Sequence, residues 1–212
     1  MSLSQIQRMN GPINDVNDQV VGQQPAFGTS TTVSKVSGQL GKVIALDDSE
    51  VIFDSAIGTV YGGKFQYVRL SSGSTTPALG QLVFWDVTVA PNLYQVTTLE
   101  TGTTPGAQFM AGVVLNPAWT AAYYSYIQIL GLVDVKFRAA LSHAPAGVGV
   151  AVYAAAAGAG ADNGLADTID TADPATFSDV KLMANRYLGT AWELPVSGST
   201  TLVFFNPRNS RG

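Results

Sequence analysis

Gly80-Gln-Leu-Val-Phe-Trp85, Ala111-Gly-Val-Val-Leu-Asn116 and Tyr126-Ile-Gln-Ile-Leu-Gly131 follow one another as short runs of β-branched and aromatic residues, each marked by glycine. Runs of this kind, too short for helices and bounded by turn formers, read as strands. A second series keeps the same order: Gly149-Val-Ala-Val-Tyr153, then Leu188-Gly-Thr-Ala-Trp192, then Thr201-Leu-Val-Phe-Phe205. Each copy reads as strand, excursion, glycine-marked strand and closing strand. The core is therefore expected to be two intertwined halves of one barrel.

Working outward, further strands are expected at 42–46, 50–53, 65–70, 82–89, 93–98, 109–115, 124–130, 133–137, 148–154, 181–188 and 201–205. Turn chemistry falls between them at intervals of roughly ten residues. This spacing favours an all-β fold, an antiparallel β-barrel or β-sandwich, over alternating β-α units. The domain is expected to span 33–212. It carries a loop insertion at about 154–177, where Ala154-Ala-Ala-Ala-Gly-Ala-Gly-Ala-Asp-Asn-Gly164 has neither period nor bulk. Small residues bury little area, so this segment is expected to add little stability and to tolerate shortening between 154 and 173.

Residues 1–32 differ in texture, being rich in Gln, Asn, Ser, Thr and Gly with apolar residues at irregular intervals. They read as an extended N-terminal arm, flexible alone and ordered on a partner. Ile6, Met9, Ile13, Val20, Val21 and Phe27 are the expected partner-binding residues, because isolated apolar side chains cannot build a core but can each fill a separate pocket.

The chain has 212 residues, enough to bury a sizeable core. Charged residues make up 12%, about half the usual share, and the net charge is −4. A weakly charged, hydroxyl-rich surface suits packing against other subunits. Basic residues are scattered singly, so no nucleic-acid partner is expected. No stretch approaches 18 uncharged apolar residues and the first ten lack a signal-peptide pattern, so neither membrane insertion nor secretion is expected. Cysteine is absent, which excludes disulfides, thiolate metal sites and cysteine nucleophiles. The aromatic residues Phe84, Trp85, Tyr123, Tyr124 and Tyr126 offer more apolar surface than a small barrel hides, which points to a homotrimer.

Candidate chemistry is sparse. One histidine, His143, sits among Ala and Pro and reads as a turn residue, since a triad or a His-based metal site needs partners around it. Gly158-Ala-Gly-Ala-Asp-Asn-Gly164 lacks the following helix and the Lys-Ser/Thr pair of a phosphate loop. Two acidic groups, Asp47, Asp48, Glu50 and Asp54, then Asp162, Asp167, Asp170, Asp173 and Asp179, lack the spacing of a calcium loop and read as solvated carboxylates. Glu50, Glu100 and Glu193 are the glutamates a glycosidase would need in pairs, and nothing in the sequence pairs them. Trp192 beside Glu193 is the combination found in sugar sites, but a tryptophan is more often core than platform. The expectation is no catalytic residue, no cofactor and no metal.

In order and spacing, Ala78-Leu-Gly-Gln-Leu-Val83, Ala111-Gly-Val-Val-Leu115, Tyr126-Ile-Gln-Ile-Leu-Gly-Leu-Val-Asp-Val135, Pro145-Ala-Gly-Val-Gly-Val150 and Tyr187-Leu-Gly-Thr-Ala191 resemble the capsid cement, or head decoration, proteins of tailed bacteriophages. The resemblance covers somewhat over half of the chain; the arm, the region 33–75 and the insertion depart from it. It implies a virion structural protein on the outer surface of the capsid, made in the host cytoplasm. Its partners would be the major capsid protein and, often, two further copies of itself. The alternative is a phage fibre or receptor-binding module recognising host-surface glycans.

Overall fold

The computed structural model describes residues 40–54, 58–86, 89, 94–98, 110–115, 119–155, 164–168 and 186–207, leaving aside the side chains at 48–50, 52–54 and 58. All elements of regular structure among them are strands: β1 (Val43–Asp54), β2 (Gly58–Leu70), β3 (Leu82–Trp85), β4 (Gln95–Thr97), β5 (Met110–Val114), β6 (Tyr124–Lys136), β7 (Ala151–Ala154), β8 (Ala166–Thr168), β9 (Tyr187–Ala191) and β10 (Thr200–Phe205). The all-β expectation holds.

Strand pairing returns on itself twice. β2 pairs with β4, β4 with β3, β3 with β5, β5 with β6, and β6 with β2 again. From the far half of β6 the chain of pairings runs through β10, β9, β7 and β8. It comes back through a bridge between Ala166 and Phe137, the residue that follows β6. The sheet is mixed, not wholly antiparallel as expected. The reason is parity: each antiparallel step reverses direction, so a closed circuit of five strands must contain a parallel join. It falls at β2–β4 in the first circuit and at Phe137–Ala166 in the second.

The two circuits repeat each other residue by residue. Val83 faces Gly112 as Val152 faces Gly189, and a register shift follows at once in both pairs. Tyr67 faces Tyr126 as Asp134 faces Leu202. Gly80 N donates to Val114 O at 2.9 Å and Gly149 N to Ala191 O at 2.9 Å; Ser71 N donates to Val96 O at 2.7 Å and Arg138 N to Ala166 O at 3.0 Å. Gly80 and Gly149 open their repeats at φ +76° and +81°, a left-handed conformation that glycine adopts without a Cβ penalty. The duplication expected from the sequence is therefore present in altered form. Each half closes its own circuit, and β6 closes the first while opening the second.

Residues pointing into the first circuit, Val68, Leu70, Val83, Trp85, Val96, Val114, Ile127 and Ile129, form one buried cluster. Their counterparts in the second, among them Val135, Phe137, Val152, Ala154, Ala191, Val203 and Phe205, belong to another. That second cluster also contains the opposite face of the first circuit, including Phe65, Leu82, Val113 and Leu115, with Ile44 and Leu46 of β1. β3 and β5 are thus buried on both faces, which explains why Leu82-Val-Phe-Trp85 reads as an unbroken apolar run. The aromatic surplus that pointed to a trimer is largely absorbed here, since Phe84, Trp85 and Tyr126 are buried within one chain and Tyr123 and Tyr124 half-buried.

Several boundaries differ from expectation: the strand expected at 181–188 is β9, Tyr187–Ala191, and those expected at 82–89 and 148–154 are the shorter β3 and β7. The strands expected at 42–46 and 50–53 are one strand, β1, with an irregularity between Leu46 and Val51. Those at 124–130 and 133–137 are the single β6, which passes through Gly131 at φ +111°. The insertion is not wholly a surface loop, because β8 lies inside it with Ala166, Asp167 and Thr168 all buried.

Candidate functional site

The expected arm residues Ile6, Met9, Ile13, Val20, Val21 and Phe27 lie outside the described residues, as do Glu100, Asp162, Asp170, Asp173 and Asp179 and the side chains of Asp48, Glu50 and Asp54. His143 lies in the loop after β6, where its carbonyl accepts the Thr168 hydroxyl. Asp47 is exposed on β1. Asp167, expected to be solvated, is instead 3% exposed. It accepts from Ser142 N and Thr168 N, both at 2.8 Å, and from Arg138 Nη1 at 3.1 Å. Its task is to hold β8 to the loop after β6. Of the glycine-rich segment, Gly164 is described, and its carbonyl accepts Leu82 N at 2.7 Å.

Trp192 overturns the core expectation, being 63% exposed directly after β9. The repeat makes its setting legible. The position equivalent to Trp192 in the first circuit is Leu115, and the position equivalent to Phe204 is Gln128; both are buried, whereas Phe204 is 44% exposed. The outer face of the first circuit is covered, whereas that of the second is exposed at Trp192 and Phe204, with Leu202 buried between them. Leu194 and Val196, in the turn between β9 and β10, are exposed beside it. A cluster of large apolar side chains in water is the feature of a surface that marks a binding partner.

Polar groups lie in the middle of this face. Leu202 sits opposite Asp134 in the β10–β6 register, and its carbonyl accepts Trp192 N at 2.8 Å and Glu193 N at 3.4 Å. Asp134, Leu202 and Trp192 therefore form a row across β6, β10 and β9, with Glu193 at its end. Burial, and then the charge of Glu193, raise the Asp134 carboxyl above the ordinary carboxylate range. Tyr61 on β2 is raised by burial and then by the charges of Asp134 and Glu193. Tyr61, Leu132, Asp134 and Gln128 line one cleft.

Sequence reading named Trp192 and Glu193 but missed Asp134, Tyr61, Gln128 and Phe204. The one signal was the polar break in Leu132-Val-Asp134-Val-Lys136, where an acid interrupts the run of Ile129-Leu-Gly-Leu-Val133 and Val135.

The raised Asp134 has a consequence for stability. A carboxyl whose folded pKa exceeds its unfolded one favours folding when protonated, and that contribution is lost as pH rises through the folded value. Asp134→Asn is thus expected to raise the melting temperature by roughly 1–2 °C at neutral pH and to leave it unchanged near pH 3. Calorimetry at the two pH values checks it, and an equal gain at both would show that ionisation is not the cause.

Comparison of the chain with protein-family models, with curated proteins and with solved structures finds no match, so the reading of this face rests on its own geometry.

Proposed function

We propose that this is a non-catalytic virion structural protein that binds the outside of a phage capsid and stabilises the lattice of the major capsid protein. The observation that carries the reading is the apolar cluster on the second circuit, where Trp192, Phe204 and the turn residues Leu194 and Val196 are exposed while the equivalents of Trp192 and Phe204 in the first circuit, Leu115 and Gln128, are buried. A duplicated body with one covered and one open face has a built-in docking side. The ordered resemblance of the strand phrases to capsid cement proteins supports the same reading and supplies the partner. The low charge supports it too, since docking then depends on apolar burial more than on ionic attraction. In this proposal the arm residues Ile6, Met9, Ile13, Val20, Val21 and Phe27 add a second attachment, and three copies gather at one site on the shell.

The test is rebinding to capsids stripped of this protein. The full chain is expected to bind and to raise the temperature at which the particles rupture. The doubly substituted Trp192→Ser, Phe204→Ser chain is expected to bind at least about 10-fold more weakly, because each ring loses on the order of 1 kcal/mol or more of interface burial. Full-strength rebinding by the double variant would remove this face from the interface. Failure of the full chain to bind stripped capsids would remove the capsid reading.

One observation favours a second reading. An exposed tryptophan beside carboxylates is also the arrangement of a glycan platform, as in a phage fibre or receptor-binding module. Binding of the full chain to host-surface glycans, lost in Trp192→Ser, would establish it.

A further inference from the structure

We propose that the outer face of the second circuit, beside Gly149 and Trp192, accepts an extended strand with apolar side chains two residues apart, supplied by the protein on which this chain docks. The inference rests on the docking reading above and names the form of the partner at that face.

The first circuit shows how such a face is filled. The second half of β6 crosses it, and Lys136 N donates to Gly80 O at 2.8 Å. The approach is close, since a Cβ on Gly80 would stand 2.8 Å from Asp134 O and 3.0 Å from Lys136 N. Leu79 and Leu115 line one small cavity with Leu132 and Val133 of the same stretch. Val133 and Val135, both buried, belong to one cluster with Leu82 and Leu115. The crossing strand thus brings one backbone donor and two valines two residues apart.

The counterparts in the second circuit are open. Gly149, equivalent to Gly80, is exposed, and a Cβ there would meet nothing within 4 Å. Its carbonyl takes no backbone hydrogen bond among the described residues. Val148, equivalent to the half-buried Leu79, is 68% exposed, and Trp192 and Phe204 are exposed where Leu115 and Gln128 are buried. Gly149 N donates to Ala191 O at 2.9 Å, which sets Val148 beside Trp192. Where β6 lies on one circuit, the other offers the same backbone acceptor and an apolar wall.

Area and composition select the occupant. Val148, Trp192, Leu194, Val196 and Phe204 together offer roughly 500 Å² of exposed surface, less than the ~800 Å² per partner of a standard interface. Two globular copies pressed together here would be under-supported. A single strand suits the area, because it adds main-chain hydrogen bonds to side-chain burial. By the repeat, the stretch after β10 corresponds to the second half of β6, but Arg208-Asn-Ser-Arg-Gly212 has no apolar residue to lay on Trp192.

The test is an NMR titration of the full chain with acetyl-Leu-Val-Asp-Val-Lys-Phe-amide, which copies residues 132–137. It is expected to bind with a dissociation constant on the order of 1 mM and to shift Val148, Gly149 and the Trp192 indole. Two controls are a peptide of the same composition with its valines adjacent and one in which an ester oxygen replaces the lysine N–H. Each is expected to bind at least about fivefold more weakly. Val148→Glu, its fold verified in the same spectra, is expected to weaken binding at least about tenfold. Equal binding by either control peptide, unchanged binding by Val148→Glu, or no shift at about 10 mM peptide would each overturn the proposal. Contacts of the Trp192 indole with residues 1–39 in the free chain would give the place to the arm, and shifts that grow with protein concentration would give it to a second copy; either result overturns it too. The titration uses no capsid. Peptide binding without capsid rebinding therefore removes the capsid reading alone, and the reverse result removes the strand site alone.

Discussion

Gly189→Ala is expected to destabilise the protein by about 3 kcal/mol or more, lowering its melting temperature by roughly 6–12 °C. Gly189 lies in β9 with φ +152°, and a Cβ built there would stand 1.9 Å from Phe204 O on β10 and 2.9 Å from the same carbonyl's carbon. Neither atom belongs to a flexible side chain. Accommodating alanine requires β9 and β10 to separate, which breaks the pairing of Gly189 with Phe205.

The duplication supplies the comparison. Gly112 occupies the same place in the first circuit, and its Cβ would stand 2.5 Å from Gln128 O, the counterpart of Phe204 O. Gly112→Ala is expected to destabilise in the same direction and by less, having more room. Gly73, in an exposed turn, has nothing within 4 Å of its would-be Cβ, and Gly73→Ala is expected to fall within about 0.5 kcal/mol of the parent. Urea unfolding of the three variants decides the matter. If Gly189→Ala unfolds at the same midpoint as Gly73→Ala, the close approach of β9 and β10 is not a constraint on the fold.

Those two glycines also show why the duplication was legible in the sequence. Ala111-Gly-Val-Val-Leu115 and Leu188-Gly-Thr-Ala-Trp192 both keep glycine where a strand passes a neighbouring carbonyl, while the side chains around it are free to vary. What the pattern does not carry is closure. β4 and β8 are each three residues long, and Ala166-Asp-Thr168 has no apolar alternation. Their place is decided by partners far along the chain, so a local reading assigns such a segment to a loop. Glycine inside a strand weakens it, yet Gly131 lets β6 continue past Gly63, whose Cα would stand 2.8 Å from a Cβ at 131. The candidate site was half legible for a similar reason. Trp192 and Glu193 are neighbours in sequence, whereas Asp134 and Tyr61 reach them only through the sharing of β6 between circuits.

Asp167→Ala is expected to cost about 3–5 kcal/mol, in contrast to the small contribution that the composition of the insertion suggests. The carboxylate accepts from two backbone N–H groups, the Ser142 hydroxyl and the Arg138 guanidinium, and it sits on the strand that closes the second circuit. Alanine would take the acceptor from the buried Thr168 N–H and remove the ion pair that ties Arg138 to β8, and a buried unsatisfied group carries its own desolvation penalty. Asp167→Asn keeps one acceptor oxygen for the backbone donors and is expected to cost about half as much. Replacing Gly164–Thr168 by a glycine-serine linker of equal length removes the parallel join altogether, so the second circuit opens and Val152, Ala154 and Leu82 lose their neighbour at that edge. That chain is expected to show no cooperative thermal transition for the second circuit. Circular dichroism melts of all three variants provide the check. Parent-like melting of the linker chain would mean that β8 covers the second circuit without closing it, and would return the segment to the surface loop that its alanines and glycines describe.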